Sequence, residues 1–139
     1  MVTADGGFVA RGLYNARSQI RVRLYRWEPA PLDAAFFSLR IQEAVRLRER
    51  TLGLGDPAGA CRLVFSEGDG LSGLTVDRYG AYLSVQLTSL AMAMRKESLL
   101  DALEEAVAPQ GMVLRTEKGI LEEEGLELRD GPLRGTVPE

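Results

Sequence analysis

Arg62-Leu63-Val64-Phe65-Ser66-Glu67-Gly68-Asp69-Gly70-Leu71-Ser72-Gly73-Leu74-Thr75-Val76-Asp77-Arg78-Tyr79-Gly80 reads as strand, glycine-rich turn, strand. Residues 61–65 are an apolar run short enough for a strand. Asp69-Gly70 is turn chemistry. Residues 74–77 open a second run that residues 81–88 continue as a hairpin, with Gly80 suited to a left-handed turn position. Gly68, Gly70 and Gly73 precede a strand rather than a helix. Their amides therefore have no helix terminus to add to, unlike the cradle that holds a cofactor's phosphates.

Downstream, Met94, Leu99, Leu100, Leu103 and Val107 can share one face of a helix over residues 91–107, which Pro109-Gln110-Gly111 stops. Residues 112–116 read as a strand, and residues 126–129 and 133–137 as two more that pair across the Asp130-Gly131 turn. The order strand, strand, helix, strand, strand predicts an α+β domain, a helix packed on a mainly antiparallel sheet, over residues 58–139.

Upstream, Asp33 can cap a helix that runs to about residue 51. Its stripe is Phe37, Ile41, Ala44, Val45 and Arg48, and Gly53-Leu54-Gly55-Asp56-Pro57 ends it. Residues 32–57 are thus a connecting helix and linker. Residues 1–31 are rich in Gly and Arg and end in Glu28-Pro29-Ala30-Pro31. Over residues 18–25, Ile20, Val22 and Leu24 alternate with Gln19, Arg21 and Arg23, which predicts a half-buried strand with a basic outer face. One strand is not stable alone in water, so this zone reads as the remainder of a domain.

Composition narrows the chemistry. The 139 residues include no histidine, which removes the commonest general acid/base and metal ligand and every Ser-His or Cys-His pair. A lone cysteine, Cys61, forbids an internal disulfide and fits a reducing cytoplasm. The net charge of −3 is unevenly spread. Residues 1–50 hold nine arginines against five acids, while the acids cluster later, so the first part suits nucleic acid.

The opening stretch closely resembles the central-domain signature of the class I, S-adenosylmethionine-dependent 23S rRNA (cytosine-5) methyltransferases, which runs roughly R-L-V-x-x-E-x-D-G-L-P-G-L-x-V-D-R-Y-G. Ser72 stands where proline is usual. Residues 10–23 resemble the end of that family's PUA RNA-binding domain. Residues 33–48, beginning Asp33-Ala34-Ala35-Phe36-Phe37, resemble its connecting helix, and residues 115–125 resemble a later element with Glu124-Gly125-Leu126 in place. The resemblance implies a PUA domain, a small β-β-α-β-β domain and then a Rossmann-like catalytic domain. It implies S-adenosylmethionine as cofactor and 23S rRNA as partner of the parent enzyme. Against that plan the chain is expected to be the PUA tail plus the central domain, without the catalytic domain or its cysteine nucleophile. Cys61 is not that cysteine's counterpart.

Arg11, Tyr14, Asn15, Arg17, Arg21 and Arg23 are the candidate RNA contacts, because guanidinium groups suit phosphate and a tyrosine can stack on an unpaired base. No catalytic, cofactor-binding or metal residue is expected here. Glu67, Asp69 and Asp77 read as turn and ion-pair residues, Glu122-Glu123-Glu124 as a solvated acidic surface, and Trp27 as packing at a domain junction. Apolar patches at the chain's ends are expected to favour self-association. Two other readings stay open: a stand-alone RNA-binding or protein-interaction module, and a small enzyme using Glu67 and Asp69.

Overall fold

The computed structural model describes residues 2–138. Two layers appear, each built on a mainly antiparallel sheet. The first is a three-stranded sheet of β1 (Val2–Ala4), β2 (Gly7–Tyr14) and β3 (Val22–Arg26), in that order. The second is a five-stranded sheet of β4 (Ala60–Phe65), β5 (Leu74–Tyr79), β6 (Tyr82–Leu87), β7 (Gly111–Leu114) and β8 (Gly131–Gly135), also in chain order. All of its pairings are antiparallel except β6 with β7. A parallel pair needs a crossover. Here α2 (Leu90–Ala93) and α3 (Lys96–Val107) supply it. The α+β class with a mainly antiparallel sheet, read from the sequence, holds.

Between the sheets runs α1 (Ala34–Arg46), continued by a π turn over Leu47–Thr51. Asp33 caps α1, its Oδ1 accepting from the Phe36 amide at 2.9 Å. The helix buries Phe36, Phe37, Ile41, Ala44 and Val45, the spacing of one apolar face. That face meets α3, which buries Leu99, Leu100, Ala102 and Leu103. Leu63, Val64, Leu74, Val76, Leu83, Val85, Met112 and Leu114 of the five-stranded sheet complete one continuous core. Tyr25 carries that core into the first sheet: its ring meets Phe37 edge-on at 5.9 Å, and its hydroxyl donates to the Ser72 carbonyl at 2.7 Å. Among the described residues no helix is long and apolar enough to cross a membrane.

Four local expectations change. The helix over residues 91–107 breaks in two, because Arg95 leaves helical geometry and lays its guanidinium over the Phe37 ring, 5.5 Å from the centroid. Met94 is then 76% exposed instead of joining the inner face. Residues 126–129 form no strand. A helix, α4 (Lys118–Glu124), precedes them, closed by Gly125 in the left-handed region and by the Leu126 amide donating to the Leu121 carbonyl. β8 pairs with β7 instead, across this longer connection.

Of the strand expected over residues 18–25, only the part from Val22 forms, since Gln19, Ile20 and Arg21 precede β3 and are all exposed. Within β3 the alternation has the opposite sense: Val22 and Leu24 lie outside, while Arg23 and Tyr25 face in. Packing on Phe37 and a buried ion pair outweigh the exposure of these two aliphatic chains. Finally, Arg48 is not on the α1 stripe. It lies in the π turn and grips Asp69 through two hydrogen bonds of 2.6 and 2.9 Å.

Candidate nucleic-acid interface

From Gly6 to Trp27 the chain has five arginines and no acid. The fold divides them. Arg26 pairs with Glu28 at 3.4 Å, and Arg23 with Glu124 at 2.8 Å. Arg11, Arg17 and Arg21 have no carboxylate within 4 Å among the described residues. Arg11 lies directly across from Arg26 on the neighbouring strand, a like-charge pairing that an anion would relieve. Tyr14 ends β2 and is 68% exposed. It faces Val22 on β3, with Leu24 beside Gly12 on the same outer surface. Gly12 makes this surface possible: a Cβ there would stand 3.0 Å from Leu24 Cδ2 and 3.2 Å from Val22 Cγ1. An exposed ring beside unpaired guanidinium groups can stack on a base and hold its phosphate.

The six residues singled out in the sequence therefore separate. Tyr14, Arg17 and Arg21 are exposed, and Arg11 is half-buried. Asn15 and Arg23 point inward. Asn15 Nδ2 donates to the Glu124 carbonyl at 3.0 Å and to its Oε2 at 3.1 Å, while Asn15 Oδ1 accepts from the Arg17 amide. Ser18 Oγ donates to Glu124 Oε1, and the Leu90 amide donates to Oε2 at 3.3 Å. Glu124 is 5% exposed, so the run Glu122-Glu123-Glu124 is not one solvated surface. Burial alone would raise the Glu124 carboxyl. The Ser18 hydroxyl, the Arg23 guanidinium and the Asn15 amide together outweigh it and hold the group below the ordinary carboxylate range. Ser18 and Glu124 were missed from sequence. Their signal lies in α4, where Leu121 and Glu124 share a face once the helix is recognised.

The carboxylates of the signature do not converge. Asp69 serves Arg48 and accepts from the Phe65 amide, and Asp77 forms a two-point pair with Arg62 at 2.8 and 3.0 Å. Glu67 accepts from Ser72 Oγ at 2.6 Å, and that hydroxyl, ahead of other contacts, holds its carboxyl low. No group of three or more His, Cys, Asp or Glu able to hold a metal occurs among the described residues. Cys61 is half-buried, its Sγ 3.8 Å from the Leu54 carbonyl. Trp27 is 60% exposed and lines an open hollow of about 540 Å³ with Phe36, Leu39 and Pro31.

The glycines of the signature do not fit a nucleotide cofactor. The space beside Gly70 holds the Arg40 guanidinium, and that beside Gly73 holds the Ser89 hydroxyl. A turn filled by its own side chains cannot cradle a ligand's phosphates.

Residues 1–27 match the family described as a PUA-like domain. Over 139 residues the chain is 36% identical to the ribosomal RNA large subunit methyltransferase I of Escherichia coli strain K12, and 35% identical to that of Escherichia coli O1:K1 / APEC. Each alignment covers 99% of this chain and 35% of the relative. A solved structure described as a SAM-dependent methyltransferase from Streptococcus mutans superposes with a TM-score of 0.76 at 14% identity, over 96% of this chain and 33% of that one. The methyltransferase SMU.776, complexed with SAH, gives the same score and identity over 95% and 32%. At that identity the two structures speak for the fold alone. The chain is thus similar along almost its whole length to part of the ribosomal RNA large subunit methyltransferases, and it spans about a third of the length of the relatives it matches.

Proposed function

We propose that this chain is the RNA-positioning and linking part of an rRNA large subunit methyltransferase that acts in the cytoplasm. The whole enzyme would move a methyl group from S-adenosylmethionine to carbon 5 of a cytosine in 23S rRNA. The residues of this chain hold the RNA and set geometry, and the transfer itself falls to residues elsewhere. The carrying observation is the joint between layers. Asn15 and Ser18 come from the connection between β2 and β3, Arg23 comes from β3 itself, and Glu124 comes from α4, which follows β7. A buried, hydrogen-bonded joint keeps the two layers from swinging. Fixed geometry of this kind lowers the entropy cost of bringing a target base to a reacting group.

In this reading Arg11, Arg17 and Arg21 take phosphates and Tyr14 stacks on an unpaired base. Phosphate contacts position the RNA, while sequence is read at base edges elsewhere. Equilibrium binding of 23S rRNA to this chain over a range of salt tests it. Affinity should fall steeply with salt, and Arg17→Gln/Arg21→Gln should flatten the slope by about 1 to 2. Tyr14→Ala should weaken binding with the slope intact, by about 1–3 kcal/mol. Binding that ignores salt and all of these substitutions would remove the reading. Methyl transfer by the chain alone would overturn its division of labour.

A further inference from the structure

Where α1 and α3 diverge, a small open hollow is lined by Gln42, Val45, Arg46, Glu49 and Arg50 on one side and Ala106 on the other. Arg46 and Arg50 are four residues apart and share a helix face. The other arginines of this helix are matched: Arg40 by Glu43 at 3.1 Å and Arg48 by Asp69 at 2.6 Å. Arg46 and Arg50 have no carboxylate within 4 Å among the described residues. The acid between them, Glu49, is drawn to Arg78 at 3.2 Å. Arg78 is only 5% exposed, so its charge is committed to Glu49 and to the carbonyls of Leu54 and Asp56. The hollow therefore keeps two positive charges that the fold does not neutralise.

Like charges four apart on a helix repel. A helix C-terminus returns some of that cost to a single cation. Here, however, the last turn is a π turn over Leu47–Thr51, a form that is rare and concentrated at functional positions. The hollow is about 170 Å³ and no aromatic ring lines it. It suits one phosphate group and offers no platform for a base. Two planar guanidinium forks match phosphate oxygens, and each can bind bidentately.

We propose that Arg46 and Arg50 form a phosphate subsite for the RNA backbone on the connecting helix, an anchor separate from the Tyr14 surface. It rests on the RNA reading above. Its role is orientation: a second grip at the far end of α1 fixes the angle at which RNA crosses the molecule, without reading sequence.

The test is equilibrium binding of 23S rRNA by this chain between about 50 and 200 mM salt. Arg46→Gln/Arg50→Gln should weaken binding about tenfold at low salt and flatten the slope of log K against log salt by about 1 to 2. Arg46→Lys/Arg50→Lys should keep most of the slope, because the charge remains. Lys96→Gln/Lys118→Gln, which removes two already paired cations, should leave it unmoved. A double Gln variant with the parent slope overturns the subsite and leaves the RNA reading standing. A parent chain that shows no salt-steep binding overturns both. Should the Gln variant unfold, arginine Nε–Hε resonances of the parent chain titrated with a short RNA decide: shifts at Arg46 and Arg50 support the subsite, and unmoved signals sink it.

Discussion

Glu124 Oε1 lies 2.8 Å from Arg23 Nη2, and the two side chains come from different layers of the fold with 6% and 14% of their surface exposed. Removing one partner of such a pair strands the other without water. Arg23→Ala should therefore cost about 3 kcal/mol in urea unfolding. Arg23→Ala/Glu124→Leu should recover part of that loss, because no buried charge is left unmatched. A single variant as stable as the parent would mean the joint contributes nothing.

The same carboxylate fixes a pH dependence. Glu124 is held below the ordinary carboxylate range, so its folded value lies under its unfolded one. The stability it contributes is present above the unfolded value. That stability drains away as pH falls from there through the depressed folded value. Urea midpoints followed from pH 7 to pH 3 should drop more for the parent than for Glu124→Gln, with the gap opening below about pH 4.5. Parallel curves would assign the acid sensitivity to other groups.

Ser72 departs from the family pattern, which has proline there, and the structure gives the residue two tasks. Its Oγ donates to Glu67 Oε1 at 2.6 Å and accepts from Arg23 Nη1 at 3.2 Å. Ser72→Ala should therefore let the Glu67 carboxyl rise toward its ordinary value, which side-chain NMR titration reads directly. Glu67 is largely exposed, so water will screen the loss and stability should fall by no more than about 1 kcal/mol. An unmoved titration would assign the depression to Ser66 or Arg23 instead.

How far the sequence was legible depended on whether the deciding contact was local. The cap at Asp33, the α1 stripe from Phe37 to Val45 and the Gly80 turn each follow from spacing and residue type within a few positions, and each is in the structure. The inner face of β3 is not local. Alternation fixes only that Val22 and Leu24 oppose Arg23 and Tyr25. Which pair turns inward is decided by packing on Phe37 and by Glu124, about a hundred residues away. The same distance hid the inward roles of Asn15 and Ser18, whose partner Glu124 sits on α4, a helix that the residue pattern did not predict. The break at Arg95 was equally hidden, since it depends on the ring of Phe37 from another helix.

The inverted β3 leaves Val22, Leu24 and Tyr14 together on the outer surface of a sheet whose last strand is an open edge. Contiguous exposed apolar groups on such an edge favour association with another copy. Val22→Thr/Leu24→Thr removes the apolar surface and keeps residues that suit a strand. Stability should change by less than about 0.5 kcal/mol for each exposed substitution, since neither side chain enters the core. In sedimentation velocity the parent chain should shift to larger species as concentration rises, and the variant should stay monomeric. Identical concentration dependence in both would show that this face plays no part in self-association.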